Sequence, residues 1–140
     1  MNDRAIYITH RDRERLVALL ESATSRHGVD ERDQPYLAAL SMELGRAVIV
    51  DSEVVPPDVV TMNSRVRLQD DPRSWTVTLV FPQDADPEAD RISVLAPLGA
   101  ALLGCRAGSS VSFRVPGGRE RSCDILNILY QPEAAGDLYV

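Results

Sequence analysis

Apolar residues recur at helical spacing over the first fifty positions and mostly at a period of two thereafter, and the change falls at a pair of prolines. Leu16, Leu19, Leu20 and Ala23 stand at i, i+3, i+4 and i+7 and make one apolar stripe, with Asp12, Arg13, Glu14, Arg15 and Glu21 on the wet side. The spacing predicts an amphipathic helix that begins near His10. Thr9 is its expected N-cap, and Asp12, three residues on, puts a carboxylate near the positive helix end. Residues 24–35 lose the period and contain Gly28 and Pro35, after which Leu37, Leu40, Leu44 and Ala47 or Val48 rebuild a helical stripe. Two helices of about a dozen residues with one narrow apolar face each are best satisfied as an antiparallel hairpin, projecting ~20 Å.

Pro56 and Pro57 remove backbone donors and restrict the residues before them, so they set a boundary between a hairpin over 1–50 and a second unit over 51–140. In VVTMNSRVRL, residues 59–68, Val60, Met62, Ser64, Val66 and Leu68 alternate with Thr61, Asn63, Arg65 and Arg67, which predicts a half-buried strand. Asp70 to Arg73 form a turn, and Trp75, Val77, Leu79 and Phe81 continue the alternation as the hairpin partner. QDADPEAD is a polar loop and RISVL a short strand. PLGAALLG is a compact helix with Pro97 at its start and Gly104 at its end. VSFRV, a PGG turn whose Gly117 and Gly118 supply positive φ, and CDILNILY complete about five strands and one short helix. The pattern is an antiparallel α+β arrangement. QPEAAGDLYV reads as a surface tail, with the docking of Leu138, Tyr139 and Val140 left open.

A chain of 140 residues with 44% apolar content accommodates one ordinary domain with a helical appendage. No run approaches the roughly 18 apolar residues needed to span a bilayer, and MNDRAIYITHRDRER lacks the apolar stretch of a secretion signal, so a cytoplasmic protein is expected. In that compartment Cys105 and Cys123, far apart and outside any CxxC, are expected as small apolar residues and not as a disulfide. The net charge of −6 argues against gripping a phosphate backbone by bulk electrostatics. All fifteen basic residues are arginine, which reads first as a genomic bias, although the planar fork of arginine suits carboxylates on a partner better than lysine does.

Candidate chemistry is sparse. Asp30, Glu31 and Asp33 lie in the loop that should form the hairpin tip, where carboxylates are able to share a magnesium ion with another macromolecule, although charge runs in loops are ordinarily solvating. His10 and His27 have no Ser or Cys in a nucleophile context and, with two cysteines, do not make a zinc cage. The glycines form no phosphate-cradling motif. Trp75, Phe81, Phe113 and Tyr130 fall in strands, where single aromatics are more often core than the lining of a peptide-binding hollow. No cofactor is expected.

Four blocks in order, PPDVVTMNSRVR (56–67), SVLAPLGAALLGCRAGSSV (93–111), VPGG (115–118) and YQPEAAGDLY (130–139), give the chain a resemblance to the bacterial regulators of nucleoside diphosphate kinase, small relatives of the Gre transcript-cleavage factors. The resemblance covers nearly the whole chain. It implies an N-terminal coiled-coil hairpin followed by a domain with the fold of the FK506-binding proteins. It also implies binding of RNA polymerase, the C-terminal domain docking at the rim of the secondary channel and the hairpin entering it. In the Gre factors a Ser-Pro pair before the short helix belongs to the gripping surface; here Ala96 and Pro97 keep the proline and lose the hydroxyl. The expected docking residues are Leu95, Ala96, Pro97 and Gly99, with Asn63, Arg65 and Arg67 beside them. Gre hairpins are longer and end in acids that hold a second magnesium ion, so Asp30, Glu31 and Asp33 on a ~20 Å hairpin are expected to fall short of the polymerase active site. The expected protein is a monomeric, non-catalytic regulator that competes with Gre-type factors without stimulating cleavage. The alternatives are a peptidyl-prolyl isomerase or peptide-binding module, by virtue of the shared fold, and a pure competitor for the channel.

Overall fold

The computed structural model describes residues 6–25, 34–115 and 117–137. The first helix, α1 (His10–Ser25), starts where the spacing predicts, and Asp12 N donates to Thr9 Oγ1 at 3.1 Å as the expected cap. Helix α2 (Gln34–Arg46) follows, and α1 and α2 touch through the stripe in which Leu16, Leu40 and Leu44 are buried. Val48 does not continue that helix. It opens β2 (Val48–Val50), which pairs in parallel with β1 (Tyr7–Thr9), just ahead of α1. Neither strand shows in the pattern, because a three-residue strand is too short to set up a period.

The remaining strands form one sheet. β3 (Arg65–Asp70), β4 (Arg73–Val80), β5 (Arg91–Ser93), β6 (Ser110–Arg114) and β7 (Glu120–Tyr130) lie in the order β5-β4-β3-β7-β6. The β3–β4 hairpin turns at Asp70 and Arg73 as expected, but β5 runs parallel to β4, so the sheet is mixed and not antiparallel throughout. The segment between β4 and β5 contains two short 3-10 turns, Pro82–Asp84 and Pro87–Ala89, and it carries the chain back along β4 to start β5 in the same direction. Register shifts beside Val66 and Leu68 interrupt the β3–β7 ladder, the kind of irregularity that bends a sheet.

VVTMNSRVRL is a strand only from Arg65. Ahead of it Ser64 N donates to Thr61 O at 3.1 Å, Thr61 N donates to Ser64 Oγ at 2.9 Å, and Asn63 holds a left-handed φ of 68°, which closes a tight turn. Ser64 O and Leu79 O still hold the turn against β4. Val60, Met62, Ser64, Val66 and Leu68 are buried as the alternation predicts, but Thr61, expected outside, is buried too.

One side of the sheet carries Val66, Leu68, Val77, Leu79, Val111, Cys123 and Ile125 into a core that also takes Leu102 and Leu103 at the end of α3 (Pro97–Leu102). That core is continuous with Ile6, Ile8, Leu16, Leu40 and Leu44. Pro97 sits at the start of α3 and Gly104 has φ 79° just beyond it, as each backbone preference requires. The hairpin between β6 and β7 turns through Gly117 and Gly118 at φ 97° and 83°. The tail is less of a surface feature than expected: Gln131 is buried and caps a fourth helix, α4 (Pro132–Ala135), by accepting from Ala134 N. No helix among the described residues is long and apolar enough to cross a membrane.

Candidate docking surface

The Thr61–Ser64 turn is where the molecule's parts meet. Asp12, expected on the wet face of α1, is 1% exposed, because its position in the first helical turn faces this loop. Its Oδ2 accepts from Met62 N at 2.9 Å, and its Oδ1 accepts from Arg15. From the other side Thr61 Oγ1 donates to Glu133 Oε1 at 2.7 Å, and Gln131 Nε2 donates to the carbonyls of Pro56 and Val59, both at 2.8 Å. Burial pushes both Asp12 and Glu133 above the ordinary carboxylate range, against the hydrogen bonds from Met62 and Arg15 at Asp12 and from Thr61 at Glu133. These contacts satisfy polar groups that would otherwise be stranded between helix and sheet.

Asn63, at the tip of the turn, lines two adjoining hollows. One is a groove of about 990 Å³ between α1 and the segment after β4, with Arg15, Leu19, Phe81 and Leu95 on its walls. Arg15 lies over the Phe81 ring, 4.9 Å from its centre. The other hollow, about 710 Å³, opens on the outer face of the sheet around Arg65. Arg91 borders both.

Leu95, Ala96 and Pro97 form a half-buried loop whose shape is set locally: Leu95 N donates to Ser93 Oγ and Ala96 N to Ser93 O, each at 3.0 Å. Ala96 is the N-cap of α3 and offers no side-chain cap. Gly99, expected among the docking residues, is buried, and a Cβ there would lie 2.1 Å from Ser93 O, so its place is in closing the loop. Asn63 and Leu95 share the groove, and Arg65 lines the outer hollow. Arg67 lies further along the exposed face, donating to Ser74 Oγ at 2.9 Å. The sequence pattern does not mark Arg15 or Arg91 as site residues, since Arg15 reads as a wet-face charge and Arg91 as the start of a short strand; Phe81, weighed as hollow lining but expected as core, lines the groove. Asp30, Glu31, Asp33 and His27 lie outside the described residues.

The aromatics do not gather. Phe81 lines the groove, Tyr130 the outer hollow, and Trp75 and Phe113 are partly buried against the core. His10 is exposed, with Nε2 3.6 Å from Asp51 Oδ1. Cys105 is half-buried; Cys123 is buried, its thiol pushed up to about 11 by burial and then by Asp70 and Asp124, so it stays neutral.

A five-stranded sheet, a helix opened by Pro97 and a pair of N-terminal helices define the candidate class, and comparison with known proteins supplies the rest. The family model "Transcription elongation factor, GreA/GreB, C-term" matches residues 55–130, and "Rnk N-terminus" matches 4–50. A solved structure of a prokaryotic transcription elongation factor GreA/GreB from Nitrosomonas europaea is 39% identical, covers 89% of this chain and 99% of its own, and superimposes with a TM-score of 0.73. The chain is thus a member of the GreA/GreB class of transcription factors. Within it, the "Regulator of nucleoside diphosphate kinase" of Escherichia coli K12 is 41% identical over 139 residues, 98% of each chain. The transcription elongation factor GreA of Pelobacter propionicus is 32% identical over 113 residues, 79% of this chain and 69% of that one. This chain belongs to the family of the regulator of nucleoside diphosphate kinase. Its relatives are named as regulators and transcription factors, not as catalysts.

Proposed function

We propose that this chain is a non-catalytic, cytoplasmic transcription regulator that binds RNA polymerase at the rim of the secondary channel. It competes there with Gre-type factors and does not stimulate transcript cleavage. The reading takes α1 and α2 as a short coiled coil inserted into the channel and residues 51–140 as an FKBP-like unit that docks as a monomer without contacting nucleic acid. The observation that carries it is the half-buried Leu95–Pro97 loop beside the groove that Asn63 and Leu95 share, inside the part of the chain that matches the GreA/GreB C-terminal family. Helices of 16 and 13 residues extend only about 24 and 20 Å, which supports occupancy of the channel without reach to the catalytic magnesium ions.

The test is co-migration with purified core RNA polymerase in size-exclusion chromatography, with and without excess Gre factor. Co-migration that the Gre factor displaces is expected, together with at least about tenfold weaker binding for Pro97→Glu, since a buried unpaired charge at an interface is costly. A folded Pro97→Glu variant that binds unchanged removes the loop from the interface. Efficient cleavage of backtracked transcripts overturns the occupancy reading.

A further inference from the structure

The outer face of the sheet holds a row of side chains that the groove does not explain. In register, Tyr130 on β7 stands opposite Arg65 on β3, Arg65 opposite Thr78 on β4, and Thr78 opposite Arg91 on β5. The four residues form one rung across four neighbouring strands, and all of them line the same hollow. Two strand spacings, about 10 Å, separate the arginine backbones, with the Thr78 hydroxyl between them. A group carrying two oxygens and seated over Thr78 lies within reach of both guanidiniums.

Neither Arg65 nor Arg91 has an ion pair among the described residues, although the chain has 21 acidic residues. Other arginines are paired: Arg106 with Asp58, Arg121 with Asp70 and Arg46 with Glu43. The lining contains one carboxylate, Asp90, which leaves the hollow with a single net positive charge. That charge suits one carboxylate and not a polyphosphate or a nucleic-acid backbone, which the overall charge of −6 also repels. Leu129, 46% exposed, and the Tyr130 ring add an apolar floor beside the arginines.

We infer that this rung is a docking site for an acidic side chain on an extended segment of a protein partner, the carboxylate held between Arg65 and Arg91 and a neighbouring apolar side chain laid on Leu129. The inference deepens the docking reading, on which it rests for the partner being a protein, by naming the chemistry that one part of the surface takes. The arginine fork supplies two parallel donors to each carboxylate oxygen pair, and that geometry favours carboxylate over the neutral amide.

The test uses the full chain and no polymerase, so it fails or succeeds apart from the docking reading. Blocked peptides of alternating Val and Glu, the same peptides with Gln for Glu, and inorganic pyrophosphate are titrated to millimolar concentration, followed by amide and arginine side-chain NMR. Saturable shifts at Thr76, Thr78 and Leu129 are expected with the Glu peptide, about tenfold weaker binding with the Gln peptide, and loss of binding in Arg65→Gln and in Arg91→Gln but not in Arg114→Gln. Urea midpoints equal to wild type certify that these surface variants are folded. Equal binding of the Glu and Gln peptides, shifts that survive both variants, no saturation at millimolar peptide, or tighter binding of pyrophosphate than of the Glu peptide each overturns the inference.

Discussion

Asp12 occupies the third position of α1, where a carboxylate ordinarily serves the helix's own amide groups. Half of that arrangement forms, since Thr9 caps Asp12 N, but the Asp12 carboxylate turns to Met62 and Arg15 instead. Sequence spacing shows a cap and not a joint, because Met62 is fifty residues away and becomes a neighbour only when the sheet is built. The raised affinity of Asp12 for a proton has a defined consequence: the folded state binds more protons than the unfolded one between the ordinary carboxylate range and the raised value. Stability contributed by this group therefore falls as pH rises through that interval. Relative to Asp12→Asn, which cannot titrate, wild-type stability from urea unfolding is expected to decline across the same interval. A pH-independent difference would show that the carboxylate stays ionised throughout. Asp12→Ala, which strands the Met62 amide, is expected to cost about 2–3 kcal/mol on the acid side of that interval and less above it. Thr61 and Glu133 were as illegible as Asp12: a threonine in an alternating run gives no sign that its hydroxyl will meet a carboxylate 72 residues on.

Among the elements, α1, α2, α3, the β3–β4 hairpin and the β6–β7 hairpin were legible, because each rests on local periodicity or on a turn residue with a special backbone need. β1, β2 and the direction of β5 were not, because parallel pairing is decided by the path of the intervening chain and not by the strand's own residues. The Leu95–Gly99 segment, a loop running into α3, shows both kinds of control. Pro97 marks the helix start by its backbone alone, whereas the need for glycine at position 99 comes from Ser93 O on the passing strand. Gly99→Ala is expected to lower stability by more than about 3 kcal/mol in thermal or urea unfolding, a clash with backbone that no rotamer relieves. Gly45→Ala, in α2 with no atom within 4 Å of the added Cβ, is expected to raise stability by about 0.5 kcal/mol. Equal, small effects at the two positions would mean that the loop over α3 yields freely.

At the scale of the whole molecule, one core joins the helices to the sheet: Leu16, Leu40 and Leu44 pack in the same cluster as Leu68, Leu79 and Ile125. Unfolding in urea is therefore expected to be a single transition, with Trp75 fluorescence from the sheet and helical circular dichroism coinciding. Leu40→Ala should shift both signals together by about 2–5 kcal/mol. Separate midpoints would mean that the helices melt independently of the sheet. What the sequence determined by itself were the features with short range: helix stripes, caps, turns, a sheet whose alternation buries one face, and four blocks whose order marks the family. Only the tertiary structure decided which polar residues turn inward at the Thr61–Ser64 turn, that β5 lies parallel to β4, and that Arg65, Thr78 and Arg91 form one rung. The reason is common to all three. Each depends on which distant segments become neighbours, and that is settled by packing the whole core and by satisfying buried polar groups, neither of which a local pattern contains.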